Sequence, residues 1–235
     1  MRLLAGLAAL LVAAASSTFA GSSGFWPRLT TLKIDRCCFG DVQVRYDPRL
    51  ATVINETEFI PPDSDMKTVH AIRTTLAPGS PLYVVDYWEG ASCDPTFLIY
   101  DATKTPDRNK PLLEVSGLTL SIPGDGFVYV HGHTNNFFSQ FRKFIVTPKH
   151  AEEVAQPFYY AGIETRTTTP IKLVTAPSST EVISELASGT RVTILACQKD
   201  DWCLVRDALG LIGWTKLEYS RKPDAQFRGV FYAGD

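Results

Sequence analysis

The sequence predicts an all-β protein in two parts: an antiparallel β domain of sandwich or irregular-barrel type over residues 21–165 and a smaller β-barrel over residues 171–220. Two observations carry this. Short apolar runs recur along the whole chain, each bounded by Gly, Pro, Ser, Asn or Asp, the punctuation of strands joined by tight turns. Helical patterning is nearly absent: Ala151 to Ala155 offers one turn, and Thr134 to Phe141 a second. Between the two parts, Glu164-Thr-Arg-Thr-Thr-Thr-Pro170 contains no apolar residue and reads as a linker, bounded at residues 166–170, with 221–235 left as a C-terminal tail.

Composition bounds the class. An apolar fraction of 45% with 20% charged residues suits a globular chain that buries a core and excludes a disordered adaptor. Arg2, the apolar run Leu3 to Ala15 and the small-residue exit at Thr18-Phe-Ala20 have the order of a cleavable secretory signal over residues 1–20. The run is too short for a standard membrane span, so the mature protein is expected in the periplasm or secreted, without a membrane anchor. Cleavage after Ala20 removes one Arg and no acid, leaving 22 basic against 25 acidic side chains. That balance gives no electrostatic attraction for nucleic acid.

Within the larger part the expected strands are Leu32 to Ile34, Val42 to Tyr46, Val69 to Leu76, Leu82 to Trp88, Thr96 to Tyr100, Leu112 to Ile122, Phe127 to Val130, Phe144 to Val146 and Phe158 to Ile163. Pro61-Pro62, Pro78-Gly79, Cys93-Asp-Pro95 and Pro123-Gly-Asp-Gly126 supply turns. Phe137, Phe138, Phe141 and Phe144 are spaced to line one side of a helical turn packed on the sheet. The smaller part runs Ile171 to Val174, a turn at Ala176 to Thr180, Glu181 to Leu186, Arg191 to Leu195, Trp202 to Arg206 and Gly210 to Thr215: five short strands.

Those five strands closely resemble the bacterial SH3-like (SH3b) domain family. Leu173 and Pro177 occupy the opening strand and turn, Val182, Leu186 and Gly189 the second run, Val192 and Ile194 the alternating third. Trp202 and Val205 form the W-x-x-V pair, and Gly213-Trp214 opens the last strand before Leu217. Val174 and Ala176 stand where the family commonly has Arg and Gly. The resemblance spans about a fifth of the chain and implies a binding module for cell-wall peptides or protein partners. The segments Ile122 to Phe144 and Gln156-Pro-Phe-Tyr-Tyr160 more loosely resemble uncharacterised exported bacterial proteins that also carry such barrels, which implies no activity.

Export makes the five cysteines readable as disulfide partners. Cys197 and Cys203 flank the tip Gln198 to Trp202 and are expected to staple a hairpin. Adjacent Cys37 and Cys38 cannot normally bridge each other, so Cys93 is expected to pair with either Cys37 or Cys38, leaving one spare thiol. His131 and His133 project from one face of a strand and are weak metal candidates, with Asp125 or Glu114 as a further oxygen. No nucleophile elbow, H-E-x-x-H helix or phosphate loop is present, and Cys38 or Cys93 with a histidine lacks the helix that would activate a thiol. No cofactor is expected. The expected function is therefore a non-catalytic envelope protein that binds a cell-wall peptide or an envelope protein through Trp202, Trp214 and Tyr219, with Asp200 and Asp201 at the stapled tip. The alternatives are a metal-dependent or cysteine hydrolase using His131 and His133, and an inhibitor or structural partner of an exported hydrolase.

Overall fold

The computed structural model describes residues 29–34, 41–59, 67–89, 94–103, 110–220 and 224–234. Throughout them the secondary structure is strand, as expected, and no helix forms. Strands β1 (Thr30–Ile34) and β2 (Val42–Tyr46) open a first sheet. The chain then leaves for a second, antiparallel sheet of β3 (Ala51–Phe59), β4 (Lys67–Thr75), β5 (Leu82–Trp88), β6 (Thr96–Asp101) and β7 (Leu113–Ser116), paired in sequence order. It returns to the first with β8 (Thr119–Ile122), β9 (Phe127–Gly132), β10 (Gln140–Val146) and β11 (Ala151–Glu153), giving the order β1-β2-β8-β9-β10-β11. β2 and β8 pair in parallel, with Gln43 opposite Thr119, because the whole second sheet is inserted between them as a crossover. The other pairings are antiparallel, so this pair is the one departure from a purely antiparallel domain.

The two sheets share one apolar core. Alternation in β2 turns Val42, Val44 and Tyr46 inward, and Leu120, Ile122, Val128 and Val130 join them from the same sheet. The second sheet contributes Val69, Ile72, Tyr83, Val85, Tyr87, Phe97 and Ile99, all buried. Leu112 to Ile122, expected as one strand, is divided between the sheets at Gly117. A Cβ there would lie 2.3 Å from Val130 Cγ1, so only glycine lets the chain cross this close to β9.

The third sheet holds β12 (Tyr159–Arg166), β13 (Ile171–Val174), β14 (Val182–Leu186), β15 (Arg191–Cys197), β16 (Trp202–Asp207) and β17 (Ile212–Lys216) in the order β12-β15-β16-β17-β13-β14. The five expected C-terminal strands are all present, and β12 is a sixth. The sheet curls enough for the Ser184 hydroxyl on β14 to reach the Asp207 carboxylate on β16 at 3.3 Å.

Four expectations are corrected here. The threonine-rich segment is no linker: Glu164–Arg166 belongs to β12, paired with β15, and Thr167 is buried. Its polarity is spent on backbone bonds, since the Thr165 hydroxyl donates to Arg228 O (2.6 Å) and that of Thr167 to Ala187 O (2.7 Å), while threonine itself favours strands. Ala151 to Ala155 forms β11 instead of a helical turn, paired to β10 with Val146 opposite Ala151. Phe137, Phe138, Phe141 and Phe144 lie on no helix: Phe144 enters the first core, Phe137 and Phe138 the third sheet's core, and Phe141 is exposed. The C-terminal segment is no free tail, since Phe227 is fully buried in the third sheet's core with Val230, and Phe227 bridges to Thr167 and Ala233 to Asn136.

Tyr159 marks the seam between the first and third sheets. Its ring is in the third sheet's core while its hydroxyl donates to Glu153 Oε1 on β11 at 2.5 Å. Burial, reinforced by Glu153 and opposed by nearby Arg142, pushes its pKa up to about 12.

Two outcomes follow from this packing. Phe227→Ala removes a fully buried ring and is expected to cost about 3–5 kcal/mol, seen as a lower urea midpoint. Because the folded-state pKa of Tyr159 lies above its unfolded value of about 10, its contribution is complete below pH ~10 and is lost as pH rises towards 12. Tyr159→Phe should therefore cost about 1 kcal/mol at pH 8, and urea titrations should show the gap to the wild type narrowing at pH 11.

Candidate functional site

The outer face of the third sheet is where the candidate aromatic residues meet. In β16 the buried positions are Cys203, Val205 and Asp207, so Trp202, Leu204 and Arg206 face outward. In β17 Gly213 and Thr215 are buried, so Ile212, Trp214 and Lys216 face outward. Register places Trp202 opposite Lys216 and Leu204 opposite Trp214, so the two tryptophans are diagonal neighbours, within reach of each other's large side chains. The same row extends from Val174 on β13 through Trp214 and Leu204 to Ala196 on β15 and Tyr160 on β12.

Phe158, just before β12, closes the cluster. Its ring lies 6.0 Å from that of Trp214, with the planes tilted by 32°, within the centroid range of favourable aromatic pairs. Phe158 is 41% exposed and Tyr160 80% exposed, whereas both tryptophans are half-buried. Sequence reasoning did not select Phe158 or Tyr160, although both stand in the Gln156-Pro-Phe-Tyr-Tyr160 run it noticed. An aromatic run entering an alternating strand is the signal that could have found them.

The inner face explains why these rings can stay outside. At Gly213 a Cβ would fall 2.8 Å from Leu173 Cβ and 3.1 Å from the Val174 carbonyl oxygen, so β17 approaches β13 too closely for any side chain there. Trp214 is thereby held on the outer side with Val174 opposite it.

The tip beside Trp202 is fixed at several points. Cys197 and Cys203 face each other in register and are disulfide-bonded, with Cα atoms 4.0 Å apart. The amide of Asp201 donates to Gln198 O at 3.2 Å, and the amide of Leu217 to Asp201 O at 2.9 Å. Asp201 has φ +68°, a left-handed conformation that Asp and Asn tolerate better than most residues. Partial burial raises the Asp201 pKa; Lys216 opposes this and Asp200 adds to it. Asp200 is exposed beside it. Cys37, Cys38 and Cys93 lie outside the described residues.

Tyr219 does not join the tryptophans through any ring contact among the described residues. Although 58% exposed, it packs edge-on against Tyr232 at 5.4 Å, and Tyr232 packs edge-on against Phe137 at 5.3 Å, on the side where the C-terminal segment docks. The histidines are engaged locally. His131 on β9 lies against Phe141, ring centroids 5.8 Å apart. His133 donates through Nε2 to Phe231 O at 3.1 Å and packs on the Phe231 ring at 4.8 Å. Asp125 accepts from the Tyr129 hydroxyl at 2.7 Å and the Phe127 amide at 3.1 Å. Among the described residues no group of three or more His, Cys, Asp or Glu side chains has a metal-binding arrangement. No helix of the described residues is long and apolar enough to cross a membrane.

Comparison with known proteins gives no matching family model, no matching curated protein and no matching solved structure.

The raised pKa of Asp201 makes the tip pH-sensitive. A carboxyl that ionises less readily when folded stabilises the protein below its unfolded pKa, and that contribution is lost as pH rises through the folded value. Asp201→Asn, which keeps the left-handed backbone acceptable, is expected to raise the melting temperature at pH 7. The gain should vanish below pH ~4 in differential scanning calorimetry.

Proposed function

We propose that this chain is a non-catalytic exported envelope protein that binds a cell-wall peptide or an envelope protein through the outer face of its C-terminal sheet. The observation that carries this reading is the pairing of Phe158 with Trp214, flanked by Trp202 and the largely exposed Tyr160, on the solvent side of a sheet whose core is already filled. Large aromatic rings left at a surface are what recognition sites concentrate, since each buries much area on contact at small entropic cost. Aromatic sheet surfaces of this kind receive extended peptides or strand edges. The signal-like amino terminus and the resemblance of residues 171–220 to SH3-like modules support the same reading from the sequence.

The test uses envelope extract and purified peptidoglycan in parallel. Trp214→Ala and Phe158→Ala are each expected to weaken binding by about tenfold or more while the far-ultraviolet spectrum and cooperative melting persist. Sedimentation with peptidoglycan identifies a wall ligand; a discrete co-purified protein identifies an adaptor. Folded variants that bind as tightly as the wild type would falsify the placement of the site.

A further inference from the structure

The outer face continues past the aromatic row into a groove of about 400 Å³ bordered by Glu164, Arg191, Thr193, Arg206 and the turn Ala208–Gly210. Register sets Glu164, Thr193 and Arg206 side by side in the row next to Tyr160, Ala196 and Leu204, and places Arg166 directly opposite Arg191 one row further on. At about 6.8 Å for every two residues of strand, the arginines lie roughly 7 and 14 Å from the aromatic row.

These three guanidinium groups are poorly matched within the chain. Arg166 donates to Gly189 O at 2.8 Å and Arg206 to the Thr193 hydroxyl at 3.3 Å, and none of the three forms an ion pair among the described residues. Asp207 also borders the groove but is buried, and its carboxylate accepts from the amides of Leu209 and Leu211 at 2.9 Å and from Ser184. Among the described residues that line the groove, Glu164 is the single exposed carboxylate. Like charges directly opposite one another destabilise a sheet, and here Arg166 and Arg191 stand so on a chain whose net charge is -2. The local excess of positive charge is complementary to an anionic ligand.

We infer that the groove receives carboxylates of the bound ligand. The ligand of this face is thus a short, extended acidic peptide, its apolar side chain on the Phe158 and Trp214 rings and its carboxylates two and four residues further on, at Arg206 and Arg191. This rests on the outer-face reading above and adds the ligand's charge. A guanidinium binds a carboxylate through paired N–H groups in a fixed plane, which gives direction as well as strength. The groove lies at the small end of ligand sites, which span about 300–1,000 Å³, and so suits a short peptide rather than a folded protein surface.

Calorimetry on the purified protein tests this with acetyl-Phe-Ala-Glu-Ala-Glu-amide, whose phenyl and two carboxylates share one side of an extended chain, against its Gln-Gln counterpart. The acidic peptide is expected to bind about tenfold more tightly, and less so in 0.5 M salt. The preference should vanish in an R191Q/R206Q variant, whose exposed side chains leave the fold intact by melting temperature. Equal binding of both peptides, no binding of either, a preference that survives in the double variant, or equally strong competition by inorganic phosphate overturns the inference. The outer-face reading still stands if Trp214→Ala abolishes binding to extract or wall in those cases, and falls only if that variant binds normally.

Discussion

Burial of Phe227, Phe137 and Phe138 in the core of the third sheet is the contact on which the arrangement of this chain depends. A β unit of about 60 residues buries a limited share of its own surface. Here the deficit is met from outside the strands: two rings come from the loop after β9 of the first sheet, and one from the segment beyond Lys216. The Thr167–Phe227 and Asn136–Ala233 bridges fix that segment at both ends. Three stretches distant in sequence are thereby held to one another, and the third sheet is attached to the first through its core rather than through a flexible connection.

The same packing bears on where the aromatic residues of β16 and β17 point. With the interior occupied by Leu173, Ile194, Val205, the disulfide and the three phenylalanines, strand alternation leaves Trp202 and Trp214 on the opposite side. In the sequence alone, W-x-x-V in a small barrel is equally compatible with a tryptophan that fills the core. What decides it is the smallness of the inward residues, above all Gly213, whose missing side chain is required by the approach of Leu173 and Val174. Ring and glycine are neighbours in the chain because one faces solvent and the other faces a backbone.

Short runs with sharp ends were legible: Val42–Tyr46, Leu82–Trp88 and Ile171–Val174 have the expected bounds, because each is a run of strand-favouring residues closed by turn residues. Two kinds of information were not local. Leu112 to Ile122 reads as one apolar strand, and its division at Gly117 depends on Val130, which only the fold brings near. Glu164 to Pro170 reads as linker because it is polar, yet its threonine hydroxyls serve partners 20 and 63 residues away. At the candidate site the tryptophans could be chosen from their motif and Phe158 from its aromatic run, whereas the arginine rows become visible only through the pairing of β12 with β15.

Trp202 and Trp214 are held by strands with little freedom to shift. The tip next to Trp202 is closed by the Cys197–Cys203 bond and by the Asp201 backbone, whose carbonyl receives Leu217 N just beyond β17. The turn at the other end is closed by Asp207, which binds the amides of Leu209 and Leu211. Restraint at both ends of the β16–β17 hairpin keeps the row of rings and the row of guanidinium groups at a fixed separation. A ligand that matches this spacing meets a surface already ordered and loses less free energy to immobilising side chains on contact. The cost is carried by the free protein, which keeps Arg166 and Arg191 opposed in register, and under the ligand proposed above it is relieved when a group of opposite charge binds between them.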